Sequence, residues 1–129
     1  MATLKVGIAD PEEMKARTMR IARGEEKPRP GEPTVWFPST ESFARVLTAA
    51  NRDLLRVIHE QKPGSLDELA RMTGRATPNV YRTLKKMESF GLVRLEKGKG
   101  VKRVPKVIYD RVELALPLIE RRKTKGNRK

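Results

Sequence analysis

Between Arg75 and Lys86 the chain sets four cations, Arg75, Arg82, Lys85 and Lys86, among Thr77, Asn79 and Tyr81, with no acid. A short way downstream Lys97, Lys99, Lys102 and Arg103 gather around Gly98 and Gly100. Side chains of this kind hold polyanions, because each phosphate they neutralise releases condensed counterions. Arginine and asparagine add recognition, since each can make two hydrogen bonds to a base edge, arginine to guanine and asparagine to adenine. Asn79 and Arg82 are therefore the candidate base readers, and Lys85 and Lys86 the candidate phosphate contacts. Tyr81 can stack, donate to a phosphate or finish the edge of the core, and the sequence leaves these readings open. Ser65, Arg75 and Thr77 join the set as further candidate DNA contacts.

Other chemistries find little footing. His59 is the single histidine and cysteine is absent, so neither a metal set nor a disulfide framework can be assembled. Glu12-Glu13 and Asp67-Glu68 fall in first helical turns, where acids complement the helix dipole rather than work as catalytic pairs. Gly98-Lys99-Gly100 lacks the spacing of a phosphate-binding loop, and no nucleophile elbow surrounds the serines. Neither enzymatic activity nor a cofactor nor a metal is expected.

The elements that must position these residues can be read from caps and periodicity. Thr77-Pro78 marks a helix start, with Thr77 as the expected cap. Val80, Leu84 and Met87 form the apolar stripe of a helix over 77–90, and Gly91 ends it. Ahead of it, Ser65-Leu66-Asp67-Glu68 has capping-box spacing for a helix ending at Gly74, so that Gly74-Arg75-Ala76 is a tight turn. Phe43, Leu47, Ala50, Leu54 and Ile58 make one stripe through the preceding helical region, with Thr48 at a kink and Pro63-Gly64 as its stop. After the basic helix, 92–96 alternates as a strand, 97–100 is a glycine-rich tip, and 104–109 is expected to return as the partner strand. The order helix, helix, turn, helix, strand, basic tip, strand is the plan of a winged helix-turn-helix, an α+β fold. In that plan helix 77–90 enters the major groove and the wing 97–103 lies on the DNA backbone.

Texture divides the chain in three. Residues 1–33 read as a strand-helix extension and linker: Leu4 to Ile8 alternates, Asp10-Pro11-Glu12-Glu13 starts a helix, and the prolines of 27–33 permit none. Residues 34–110 form the DNA-binding domain, opened by a short strand at 34–37. Residues 111–129 hold one more strand, on Val112, Leu114 and Leu116, and a basic tail expected to be disordered. Lysine and arginine total 29 against 16 acids, a net charge of +13 that points to a polyanionic partner. The longest apolar runs are too short to cross a bilayer and no signal-peptide pattern opens the chain, so a cytoplasmic location and no membrane partner are expected.

Ser65-Leu66-Asp67-Glu68-Leu69-Ala70, the run from Asn79 to Met87, and Gly91-Leu92-Val93 together resemble the MarR-like winged-helix regulators, over roughly residues 48 to 109. Phe43-Ala44-Arg45-Val46-Leu47-Thr48 leading into Asn51-Arg52-Asp53-Leu54-Leu55-Arg56 is similar to a narrower prokaryotic family, over about 34 to 116. Its members are predicted transcriptional regulators and antitoxins of two-gene toxin–antitoxin modules. The resemblance implies double-stranded DNA as partner, a homodimer, and a toxin protein gripped by the flanking segments. Two departures stand out: MarR proteins usually dimerise through long terminal helices, where this sequence has a short N-terminal helix and a broken C-terminal stretch, and Tyr81 stands where many relatives carry a small hydroxyl residue. The expected function is a sequence-specific, dimeric transcriptional repressor. An antitoxin that represses its own operon is the alternative, and a non-specific nucleoid or RNA-binding protein a weaker one.

Overall fold

Among the described residues, four of the five helices start on a side-chain cap. In this computed structural model, which describes residues 2–100 and 102–119, the caps are Asp10, Ser39, Thr48 and Ser65, each accepting from the backbone N–H three residues on. They open α1 (Pro11–Ala22), α2 (Thr40–Val46), α3 (Ala49–Gln61) and α4 (Leu66–Thr73). At α4 the Ser65 hydroxyl accepts from Glu68 N at 3.1 Å, while the Glu68 carboxylate reaches past Ser65 to accept from Gly64 N. The fifth helix, α5 (Thr77–Ser89), departs from expectation: its cap is Ala76, with no side-chain bond, and Thr77 is already helical. Alanine has no side-chain acceptor, but Pro78 at the second helical position removes one of the two N–H groups a cap side chain would serve, and Asn79 N bonds Ala76 O.

The strands are β1 (Ala2–Ile8), β2 (Val35–Phe37), β3 (Arg94–Lys97), β4 (Arg103–Lys106) and β5 (Tyr109–Ala115), completing an α+β fold. β1 lies between β2 and β5 and is parallel to both, with Val6 opposite Val35 and Leu114, and Leu4 opposite Val112. The division at 33/34 thus separates β1 from its partner β2, and the division at 110/111 cuts through β5. β1 supplies Leu4 and Val6 to the core, so the N-terminal strand is folded into the body. Tyr109 begins β5 and does not end the hairpin strand, which stops at Lys106. Of the apolar alternation at 112–116, only Val112 is packed against the core; Leu114 and Leu116 are exposed.

One face of the sheet meets the helices through Phe37. Its ring stacks on Phe90 at 3.9 Å and meets Phe43 edge-on at 5.3 Å, so the sheet, α2 and the end of α5 share one aromatic joint. Leu54 and Ile58 of α3, Leu69 of α4, and Val80, Leu84 and Met87 of α5 complete the core with Leu92 and Val93. Ala50, expected in the α3 stripe, is exposed, and Val57 is buried in its helix instead. On the other face Trp36 lies over Gly7: a Cβ there would sit 2.5 Å from the indole ring. Only glycine permits that approach.

α1 buries no side chain completely. It is held by charge: Arg17 binds Glu26 and Glu32, each at 2.7 Å, and Arg20 reaches Glu26 at 2.8 Å. The expected linker 27–33 is therefore tied down at both ends of an ion-pair network. Hydrogen bonds from Arg17 hold both glutamates below their ordinary carboxylate range, and the same bonds raise Arg17. Among the described residues no helix is long and apolar enough to cross a membrane. The basic tail from residue 120 lies outside the described residues.

Candidate nucleic-acid interface

The turn between α4 and α5 is short because Gly74 takes a left-handed conformation at φ 73°. Arg75 then fastens it. Its guanidinium donates to Ala50 O at 2.7 Å and to the Asn51 side chain at 3.4 Å, while Asn51 donates to Val46 O. A residue grouped by sequence with the DNA contacts spends donors on the start of α3, against which they set α5. Ser65 is likewise engaged as the α4 cap, and Thr77 is half-buried in the first turn of α5.

α5 divides into two faces. Val80, Leu84 and Met87 are fully buried, and Asn79, Tyr81, Arg82, Lys85 and Lys86 are exposed. Tyr81 is 49% exposed, which removes the core-edge reading left open above. Arg82 lies nearly opposite the buried stripe at 100° per residue. It donates to the Asn79 side chain at 3.2 Å, so the two candidate base readers form one polar unit across a helical turn. Lys85 pairs with Glu88 at 3.1 Å, whereas Lys86 has no carboxylate partner among the described residues.

The β3–β4 hairpin packs against α3 and α4 through β4. Leu95 and the buried Pro105 are paired across it, as are the exposed Lys97 and Arg103. Its tip is closed by Gly98 N to Lys102 O at 3.0 Å and Lys102 N to Lys99 O at 3.2 Å. Lys97, Lys99, Lys102 and Arg103 are all exposed around that tip.

Residues 46–114 match the family model described as HVO_A0114. The chain belongs to the HVO_A0114 family. The matched span runs from the last residue of α2 to the body of β5 and holds every candidate contact named above, while β1, α1 and β2 precede it. No curated protein matches the chain.

This HVO_A0114 chain also presents a concavity that sequence reasoning missed. A hollow of about 400 Å³ between α2 and α5 is lined by Ser42, Arg45, Asn51, Arg82, Thr83 and Lys86, over Val46 and Met87. Three cations around hydroxyl and amide groups suit an anionic oxygen cluster. Arg45 carried a signal in retrospect: it stands one helical turn from Ser42 on a helix otherwise read only for its apolar stripe. His59 is exposed, and no group of metal-ligating side chains occurs among the described residues.

Proposed function

We propose that this HVO_A0114 member is a sequence-specific double-stranded DNA-binding transcriptional regulator of the winged helix-turn-helix type. The observation that carries the reading is the division of α5 into a wholly buried apolar stripe and an exposed face of Asn79, Tyr81, Arg82, Lys85 and Lys86. A helix so anchored presents side chains without moving its axis, which direct reading of the major groove requires. On this reading Arg82 and Asn79 contact base edges, Lys86 and Arg45 grip a phosphate in the hollow between them, and the hairpin tip lies on the backbone. Gly74 and Arg75 position α5 and touch no DNA.

Selection of bound duplexes from a random pool, followed by binding to the selected sequence and to a scrambled one, tests the proposal. At near-physiological salt a specific regulator keeps a preference of about a thousandfold or more for its site. Equal affinity for both duplexes sinks the sequence-specific reading and leaves a charge-driven binder.

A further inference from the structure

We propose that the outer edge of β5 is the docking surface for a second copy of this chain, the two β5 strands running antiparallel about a twofold axis centred on Val112. β1 is occupied on both sides, but nothing pairs with the outer edge of β5 among the described residues. A seven-residue edge is a template for further pairing unless lysine, proline or a covering loop blunts it. From 109 to 115 there is neither lysine nor proline, and the charges present, Asp110, Arg111 and Glu113, are of mixed sign and so can pair across a twofold axis. The exposed apolar side chains concentrate in and beside this strand. Of eight large ones among the described residues, five are Ile108, Leu114, Leu116, Leu118 and Ile119.

Symmetry and charge choose the register. A twofold axis normal to the sheet keeps each side chain on its own face, so the axis must pass beside one residue facing its own copy. Centred on Arg111 or Glu113, it sets like charges against each other. Centred on Val112, it places Arg111 opposite Glu113 twice, once on each side of the axis. It also brings Leu116 of the second copy alongside the exposed Ile108. An apolar groove of about 730 Å³, floored by Phe43, Leu47, Leu55, Val107 and Val112, opens beside this edge. The second copy's residues 116–119 emerge at its mouth. A register centred on Leu114 would match leucines but leave Arg111 and Glu113 without cross-strand partners.

The test needs no DNA, so its outcome is independent of the proposed function. Sedimentation of the full chain should give a two-chain mass. Arg111→Glu and Glu113→Arg, each checked for fold by circular dichroism, should each weaken self-association roughly thirtyfold, since either change turns two attractive cross-strand pairs repulsive. Mixing the two variants should restore a dimer containing one of each, visible as a single intermediate mass in native mass spectrometry. Within one chain Arg111 and Glu113 also pair at 3.3 Å, but that contact stays like-charged in both variants, so rescue on mixing reports the contact between copies. Should either variant misfold, Val112→Cys decides instead. In a chain with no native cysteine it should form a disulfide-linked dimer on mild oxidation, while Leu114→Cys should not. A monomeric wild type, single variants that dimerise as before, a mixture that stays monomeric, or Leu114→Cys linking in place of Val112→Cys would each overturn the proposal.

Discussion

Replacing Lys99 with alanine removes one charge from an exposed side chain at the hairpin tip, so its consequence can be worked out from the electrostatics of binding alone. The exposed cations assigned to phosphates in the α5 face and the hairpin are Lys86, Lys97, Lys99, Lys102 and Arg103; Lys85 is set apart by Glu88. At about 0.9 per phosphate, these give a slope of roughly −4.5 per chain for log affinity against log salt. Raising salt from about 0.05 M to about 0.2 M should then weaken binding about five-hundredfold. Lys99→Ala should lower the slope by about 0.9 and affect selected and scrambled duplexes alike. Arg82→Ala should do the opposite: it should leave the slope nearly unchanged while costing about 1–3 kcal/mol on the selected sequence only. Fluorescence anisotropy on labelled duplexes across a salt series measures both quantities. An unaltered slope in Lys99→Ala, or an equal loss on both duplexes in Arg82→Ala, refutes the division between backbone and base contacts.

Other consequences follow from the packing and the ion pairs. Gly7→Ala must push Trp36 aside, so it should destabilise by about 1–3 kcal/mol in denaturant melts and shift the emission of the single tryptophan to the red. Ser65→Ala should cost about 1 kcal/mol through the lost α4 cap, read from the same melts. Because Arg17 depresses Glu26 and Glu32 in the folded chain, their contribution is complete above the ordinary carboxylate value near 4.5 and fades as pH falls through the depressed ones. Glu32→Gln should therefore flatten the fall in melting temperature between about pH 5 and about pH 3. An unchanged acid limb would mean that this network adds nothing to stability.

Local signals carried much of this structure. The helix starts at Asp10 and Ser65 were legible because a cap bonds a donor three residues away. Val80, Leu84 and Met87 were legible as a stripe because burial on a helix repeats every 3.6 residues. What could not be read was pairing at long range. Nothing within Leu4 to Ile8 says that its neighbours are 35–37 on one side and 109–115 on the other, so the ends looked like appendages. The fate of Arg75 was hidden for a similar reason. Its partners lie on α3, and a guanidinium aimed at a backbone carbonyl has the same sequence as one aimed at a phosphate. Thr77 was misplaced by one position because proline at either of the first two helical residues looks alike in sequence. Arg45 went unnoticed because the hollow that gives it meaning is built jointly by α2 and α5.

The central place of β1 constrains how the protein comes into being. Its two neighbours are the strand that follows α1 and the last strand described, so Leu4 waits for Val112 through the synthesis of nearly the whole chain. Pairings this remote close late and slowly, since the loop must be ordered before the contact rewards it. While the ribosome is still at work, α3, α4 and α5 can form from neighbouring residues, but β1 stays half-sheltered until β5 arrives. A stop codon or proteolytic cut ahead of residue 109 would therefore expose the opening residues of the chain, at the far end of the sequence from the damage.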